Sequence, residues 1–500
     1  MLVVNWAVTA AGRTALLKDL LHVTRPLGVL LMAFSVAYVP PVLLSLHDGD
    51  DALRPYLLGM AGNLGLGLLL WLISRRSRRE LKSRDGFLLV ALTWILLAAT
   101  AAVPLMLGLG LSFTDAYFET MSGFTTTGAT VLTGIDDLAR PHNLWRHELN
   151  WLGGLGIIGL AMAVLPLLGV GGMQVYRAEA TGPIKDSRLT PRLVQTARSL
   201  WLIYTGLTLA CTGALWLSGM NLFDAACHAM AALSLGGFST HDSSVAYFDS
   251  PLIEGVLMLF MLLAGINFAT HFLAWRGRHL RPYWTDTEAI AMLVLVLGSC
   301  VGLALYIWLE GVYPDFLTAL RYASFNLVSV GLDSGFVNAD YGQWPLAAGL
   351  WILILSCIAA SAGSTGGGIK MIRTLILFKQ SARELMSLVH PNAVSTLKIG
   401  GQVVSDRTAL SVFGFIHLYT ISIVALSLLL IVSGLDAVSA FSAVISTFNN
   451  AGPGLGVVGP ASTYQPLSDF QTWVCAVSML VGRLEVFVLV VLLTPTFWRD

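Results

Sequence analysis

Long apolar runs alternate along this chain with short basic clusters and with acidic or mixed segments. Phe87 to Leu109, Leu152 to Leu168, Leu252 to Ala274, Ala289 to Leu309, Pro345 to Ala362 and Ala409 to Val432 are each long enough, or nearly so, to cross a hydrocarbon core, which takes about 20 residues. Pro26 to Leu46 is a further run, and Pro40-Pro41 predicts a kink inside it. It lacks a small-residue cleavage pattern, so it reads as a span and not as a cleaved leader. Ordered along the chain, the runs predict two leading helices near 26–46 and 55–73 and then four helix pairs. The first members lie near 86–109, 197–219, 285–309 and 406–432, the second near 150–169, 251–274, 344–378 and 468–494.

Composition agrees with a membrane chain: 56% of residues are hydrophobic and 12% charged, against about 25% charged in soluble domains. The charges balance to zero, which gives no reason to expect a nucleic-acid partner. Their placement is more informative. Basic blocks contain Arg75, Arg76, Arg78, Arg79, Lys82 and Arg84, then Arg177, Lys185, Arg188, Arg192 and Arg198, then Arg276, Arg278 and Arg281, then Lys370, Arg373, Lys379 and Arg383. The segments between them carry His47 to Asp51, Asp136-Asp137, Asp242, Asp249, Asp333 and Asp340. The positive-inside rule places the basic blocks and both termini in the cytoplasm. Five cysteines are scattered through apolar segments without metal-ligand spacing and read as small hydrophobic residues.

Each helix pair then begins and ends inside, and its connecting segment faces outside. These four connections are long and unusually apolar, and long structureless loops are most often functional. They align on Gly128, Gly237, Gly335 and Gly452. Twelve residues upstream of each stands Ala116, Ala225, Ala323 or Ala440, and six upstream a small residue, Ser122, Ala231, Ser329 or Ser446. The glycines recur at roughly 100-residue intervals, the mark of an internal repeat. Each connection is predicted to be a short helix descending from outside, followed by an extended stretch that climbs back. Non-helical backbone at membrane depth is tolerated where it is buried in protein or lines a water-filled path. Carbonyls directed into such a path replace the hydration shell of a small cation, and helix C-termini add partial negative charge there.

Other residues invite a role. Gly363 to Gly368 interrupts an apolar span, and successive glycines, each about 1 kcal/mol poorer than alanine in a helix, predict local unwinding. Arg483 lies deep in the last span, where an unpaired charge is costly; it faces either water in a path or a carboxylate on another helix. Glu485 falls on nearly the opposite helical face and is a poor partner for it. Asp115 and Asp224 read as caps of their short helices, and Asn267 and His271 as hydrogen-bonding groups on one face of their span.

Thr125-Thr126-Thr127-Gly128-Ala129-Thr130, Gly236-Gly237-Phe238-Ser239-Thr240-His241-Asp242, Gly363-Ser364-Thr365-Gly366-Gly367-Gly368, Asn449-Asn450-Ala451-Gly452-Pro453-Gly454 and Gly482-Arg483-Leu484-Glu485 resemble the TrkH potassium-uptake proteins of the Trk/Ktr/HKT superfamily. The interior segment Leu168-Gly169-Val170-Gly171-Gly172-Met173-Gln174-Val175-Tyr176-Arg177-Ala178-Glu179 does so too, and the likeness covers nearly the whole chain. The resemblance implies an all-α integral-membrane fold of four pseudo-symmetric helix–pore loop–helix repeats around a central ion pore, preceded by two N-terminal transmembrane helices. The corresponding divisions are 1–80, 81–180, 181–283, 284–400, which holds an intramembrane gating loop, and 401–500. It further implies a homodimer in a bacterial inner membrane and a cytosolic, nucleotide-binding regulator of the TrkA type. The transported ion that the resemblance implies is potassium, and no covalently bound cofactor is implied. The family's ion ligands fall on Thr126, Thr127 and Gly128, Leu235, Gly236 and Gly237, Asp333, Ser334 and Gly335, and Asn450, Ala451 and Gly452. Its gate falls on Gly363, Ser364, Thr365, Gly366, Gly367 and Gly368, with Arg483 beneath the filter. Leu332-Asp333-Ser334 departs from the threonine-rich pattern at the third glycine. We expect the Asp333 side chain to turn behind the filter toward donors on its own short helix, leaving its carbonyl to face the ion.

Two classes of function fit: a gated, channel-like pore, and a secondary transporter coupling potassium to protons or sodium. Coupled transporters commonly carry inverted repeats, whereas all four repeats here share one orientation, which favours the pore. The sequence contains no nucleophile–base pair, zinc-ligand spacing or phosphate-binding loop that would indicate an enzyme.

Overall fold

The computed structural model describes residues 23–75, 83–168, 189–392 and 395–498. The motif segment 169–179, the basic residues Arg76, Arg78, Arg79, Lys82, Arg177, Lys185 and Arg188, and both chain ends lie outside them. Among the described residues the one sheet is a short hairpin, Lys398–Ile399 paired antiparallel with Gln402–Val403; the rest is helix and loop. Among the described residues six helices are long and apolar enough to cross a bilayer, and up to eight if each of two broken pairs is one span. The two other expected spans coincide with Arg140–Leu168 and with the split pair Leu346–Ile358 and Met371–Val389. Helices suit this environment because they satisfy their own backbone groups where water is absent.

The chain divides into two compact units. One comprises the described residues of Met1–Met121, Ala139–Trp145 and Leu484–Asp500. Its leading span, Val23–Asp48, tightens into a 3-10 turn at Ser35–Tyr38 and resumes as Val39–Asp48 with the two prolines in its first turn. Proline lacks an N–H and its ring crowds the carbonyl four residues back, so the disturbance falls just ahead of Pro40. The same chemistry is resolved differently in Ser83–Leu109, where Pro104 cannot donate to the Thr100 carbonyl. The Tyr38 hydroxyl donates to that carbonyl instead, at 3.0 Å.

The other unit comprises Ser122–Leu138 and Arg146–Arg483. Here the long helices Leu189–Leu217, Thr287–Leu309 and Asp406–Val432 are each followed by a short one, Leu222–Ser234, Phe316–Gly331 and Ala437–Asn449. Phe113–Phe124 is the corresponding short helix after Ser83–Leu109. The long helices that follow the second, third and fourth short ones are interrupted, whereas Arg140–Leu168, after the first, is continuous. Non-helical backbone separates Leu346–Ile358 from Met371–Val389 at the glycine run, as its composition predicts. A second break, unforeseen, turns the chain by 94° between Pro251–Gly265 and Phe268–Gly277. Asn267 and His271 therefore do not share a face of one continuous span. Asn267 caps the second segment by accepting from the Ala269 N–H (2.9 Å), and His271 braces the break, its Nε2 2.9 Å from the Leu263 carbonyl and its Nδ1 2.7 Å from the Tyr283 hydroxyl. The last span also stops short. Asp469–Arg483 ends at the arginine, and Glu485, with φ +53°, lies beyond the helix, so helical-face geometry does not relate it to Arg483.

One partly buried ion pair ties two repeats together. Arg321, on the third short helix, donates through Nε and Nη2 to the two oxygens of Glu254 at 2.9 and 2.8 Å, and Nη2 also reaches Asp249. The fork-to-carboxylate geometry gives direction as well as strength, and Glu254 is 2% exposed.

Candidate permeation site

The site is built from the two ends of the four short helices. Their N-termini are capped by Ser112, Asn221, Asp315 and Asp436, which accept from the backbone N–H groups of Asp115, Asp224, Thr318 and Ser439 at 2.8–3.1 Å. The bonds from Thr318 and Ser439 hold Asp315 and Asp436 below the ordinary carboxylate range. Asp115 and Asp224 are thus not the caps expected of them. They stand three residues in and accept from the capping side chains, Ser112 Oγ at 2.8 Å and Asn221 Nδ2 at 2.6 Å, the reciprocal logic of a capping box. Asp224 also accepts from Thr240 Oγ1 at 2.7 Å and meets His241 Nε2 at 3.2 Å, which fastens the second short helix to the segment after its glycine.

At the C-terminal ends one motif is repeated four times. Thr127, Gly236, Ser334 and Ala451 donate their N–H groups to the carbonyls of Ser122, Ala231, Ser329 and Ser446. Thr126, Leu235, Asp333 and Asn450 donate to Gly123, Ala232, Val330 and Thr447. Nested bonds of this kind form a Schellman ending, which requires a left-handed residue at the turn. Thr126, Leu235, Asp333 and Asn450 occupy that region with φ of 54°, 53°, 68° and 62°. Asn and Asp tolerate it; Thr and Leu do so at a cost. The small residues six positions before each glycine are therefore the carbonyl acceptors of these endings.

The four glycines follow, all left-handed, with φ of 77°, 61°, 88° and 85° at Gly128, Gly237, Gly335 and Gly452. Each abuts the carbonyl oxygen just before the next glycine in cyclic order. A β-carbon placed on Gly335 would lie 2.6 Å from the Ala451 oxygen, and one on Gly452 2.6 Å from the Thr127 oxygen. At Gly128 and Gly237 it would meet the oxygens of Gly236 and Ser334 more closely still. The first repeat thus touches the second, the second the third, the third the fourth, and the fourth the first. This closed ring brings together all twelve residues expected to form a filter, and no side chain larger than hydrogen fits at its four junctions.

Behind the ring, Asn450 Nδ2 donates to Thr127 Oγ1 (3.0 Å) and to the Met479 carbonyl (3.1 Å), joining the fourth repeat to the first. Tyr464 donates to the Gly452 carbonyl at 2.9 Å. Arg146, 1% exposed, donates to the Ser239 carbonyl at 3.1 Å and lies over the Phe238 ring. Sequence reasoning passed over this buried arginine, although a charge beside an apolar run is a visible signal. On one side of the ring all four glycines line an open cavity, together with Arg146, His241 and Asp242. Asp136, which desolvation pushes up but its bonds to His241 and the Asp242 N–H bring below the ordinary carboxylate range, accepts from that N–H at this rim.

On the other side of the ring lies the glycine run. Thr365 Oγ1 donates to the Leu233 carbonyl of the second short helix at 3.1 Å. A β-carbon on Gly367 would collide with the Asn449 carbonyl of the fourth, and one on Gly366 would lie 3.2 Å from the Leu332 carbonyl of the third. The run therefore crosses beneath the C-terminal ends of three short helices. Arg483, 3% exposed, donates from Nη1 to the Thr365 carbonyl at 2.8 Å. Among the described residues no ion pair includes it, so the carboxylate partner considered for it is replaced by a backbone oxygen of the run. Glu288, which sequence reasoning missed, accepts from the N–H groups of both Ala362 (3.1 Å) and Ile372 (2.9 Å), gripping the two flanks. Asp333 departs from expectation in one respect: its side chain turns away from the ring, but its donor is the Gly367 N–H (2.9 Å) and not a group on its own short helix.

The sequence profile described as TrkH, cation transport protein, matches residues 57–499. The chain is 45% identical over 480 residues to the Trk system potassium uptake protein TrkH of Salmonella typhimurium, covering 96% of this chain and 99% of that protein. It is 38% identical over 480 residues to the Trk system potassium uptake protein TrkG of Escherichia coli, with 96% and 98% covered. Its structure is similar to the crystal structure of the potassium transporter TrkH from Vibrio parahaemolyticus, with a TM-score of 0.89, 42% identity, and 97% of this chain and all of that one covered.

Proposed function

The chain belongs to the TrkH family of cation transport proteins, and from that premise we propose that it takes up potassium through a gated, channel-like filter. It is a transport protein and not an enzyme. The filter is the ring of Thr126 to Gly128, Leu235 to Gly237, Asp333 to Gly335 and Asn450 to Gly452, whose backbone oxygens stand in for the water around a dehydrated potassium ion. The gate is the run Gly363 to Gly368, held beneath the ring, with Arg483 adding positive charge on the path. The observation that carries this reading is the cyclic contact of four glycines with four successive carbonyls. A closed ring of four such contacts supports a shared path over four separate surface loops. The four repeats run in the same direction, which supports a pore over an alternating-access carrier. Membership of a Trk system also motivates the wider proposal of a homodimer in the inner membrane, regulated by a cytosolic nucleotide-binding subunit.

Gly335→Ala tests the filter. Its β-carbon would sit 2.6 Å from the Ala451 oxygen at a left-handed position, so the ring must distort. Reconstituted protein is expected to lose discrimination between potassium and sodium while remaining folded. Unchanged discrimination would refute the assignment of these residues as the filter.

A further inference from the structure

We infer that Asp333 is a positioning residue that latches the intramembrane run to the filter, so that the seating of the run is set from within the third repeat. The inference rests on the reading of the run as a gate. Asp333 is fully buried, and its backbone occupies the left-handed turn that ends the third short helix. The next residue, Ser334, supplies the carbonyl against which Gly237 closes the ring. The carboxylate leaves the ring and reaches the run, where Oδ2 accepts from the Gly367 N–H at 2.9 Å and lies 3.2 Å from where a β-carbon on Gly366 would stand. Among the described residues that N–H is the sole hydrogen-bond donor to Asp333, and Oδ1 has none.

This arrangement has a direction. A buried carboxylate without a donor is costly, and with the run withdrawn Asp333 would lose the bond it has. Lys370 and Arg483 are the cations whose fields reach it. Both are themselves committed to the run, Lys370 Nζ donating to the Gly366 carbonyl at 2.5 Å and Arg483 to that of Thr365. The carboxylate, Arg483 and the run therefore hold one another in place, and departure of the run takes from Asp333 and Arg483 the bonds they make to it. Arg483 and Lys370 act on carbonyls of the run from outside the filter. Asp333 alone of the three has its own backbone in the ring, so it joins the conformation of the run to that of a filter strand.

Charge-assisted hydrogen bonds are the stronger class, and removal of one shifts an equilibrium by about tenfold or more. Purified protein in planar bilayers provides the test, with open probability, unitary conductance and reversal potential recorded separately. Asp333→Leu removes the acceptor and is expected to raise open probability about tenfold or more. Asp333→Asn keeps a neutral acceptor in the same shape and is expected to raise it only a few-fold. A merely structural role would lower the yield of active channels without this graded rise. Should the leucine variant fail to fold, the asparagine variant decides alone. Wild-type open probability in Asp333→Asn, or a shifted reversal potential with open probability unchanged in Asp333→Leu, overturns the latch. Replacement of Gly366, Gly367 and Gly368 by alanine separates the two claims. If that variant opens and the Asp333 variants do not, the latch fails and the gate stands; if it too is unchanged, the gate reading fails and the latch with it.

Discussion

Gly367→Ala is the sharpest local probe of the intramembrane run. A β-carbon at this position would overlap the Asn449 carbonyl, lie 2.8 Å from its carbon and stand 3.3 Å from Asn450 Oδ1. Asn449 cannot yield easily. It is fully buried at the end of its helix, with the Tyr419 hydroxyl donating to its Oδ1 at 2.6 Å and its Nδ2 donating to Ser356 Oγ at 3.0 Å. The strain must then move the run. Overpacking a tight site costs about 1–3 kcal/mol, which multiplies the ratio of displaced to seated run by roughly 5- to 150-fold. Initial rates of rubidium tracer uptake into proteoliposomes should rise accordingly, together with open probability in single-channel records. Gly255→Ala is the control, since a β-carbon there meets nothing within 4 Å, and it should behave as wild type. Wild-type or lower flux from folded Gly367→Ala protein would show that the run does not obstruct the path.

Arg483→Gln removes the cation and weakens the clasp on the Thr365 carbonyl; single-channel records should show higher conductance and more frequent opening, whereas wild-type records would reduce Arg483 to a packing role. Arg321→Ala leaves Glu254 buried without its bidentate partner and should lower stability by about 3–5 kcal/mol, read as a fall in the thermal unfolding midpoint; Glu254→Gln with Arg321 intact should cost less.

How much of this was legible in the sequence varies with the range of the interactions concerned. The register of alanine, small residue and glycine could be read because the same physical demand recurs four times: a buried helix face, a Schellman acceptor and a junction that excludes a β-carbon. The glycine run could be read because its cost in a helix is local. The break at Ile266-Asn267 could not, since the residues on either side are apolar and helix-compatible and the interruption is fixed by bonds from elsewhere, including Phe268 N–H to the Gly363 carbonyl. The left-handed turns at Thr126 and Leu235 run against residue preference and are imposed by ring closure. The caps were misplaced by three residues because an acid in the first turn carries the same sequence signal as a cap. Asp333 was rightly expected to turn from the ring, but its donor lies 34 residues away on a different element, a distance across which pattern carries no information. Glu288 looked like one more acid at a helix start, and nothing in its neighbours pointed to the run.

Four successive backbone turns are proposed to form one potassium-selective path. Single-channel recording of the purified protein, with potassium on one side of a planar bilayer and sodium on the other, tests it most directly. A single potassium-selective path predicts unitary currents whose reversal potential lies far from zero on the side of potassium permeability. A reversal potential at zero, or ion movement without unitary currents and in fixed proportion to protons or sodium, would contradict it.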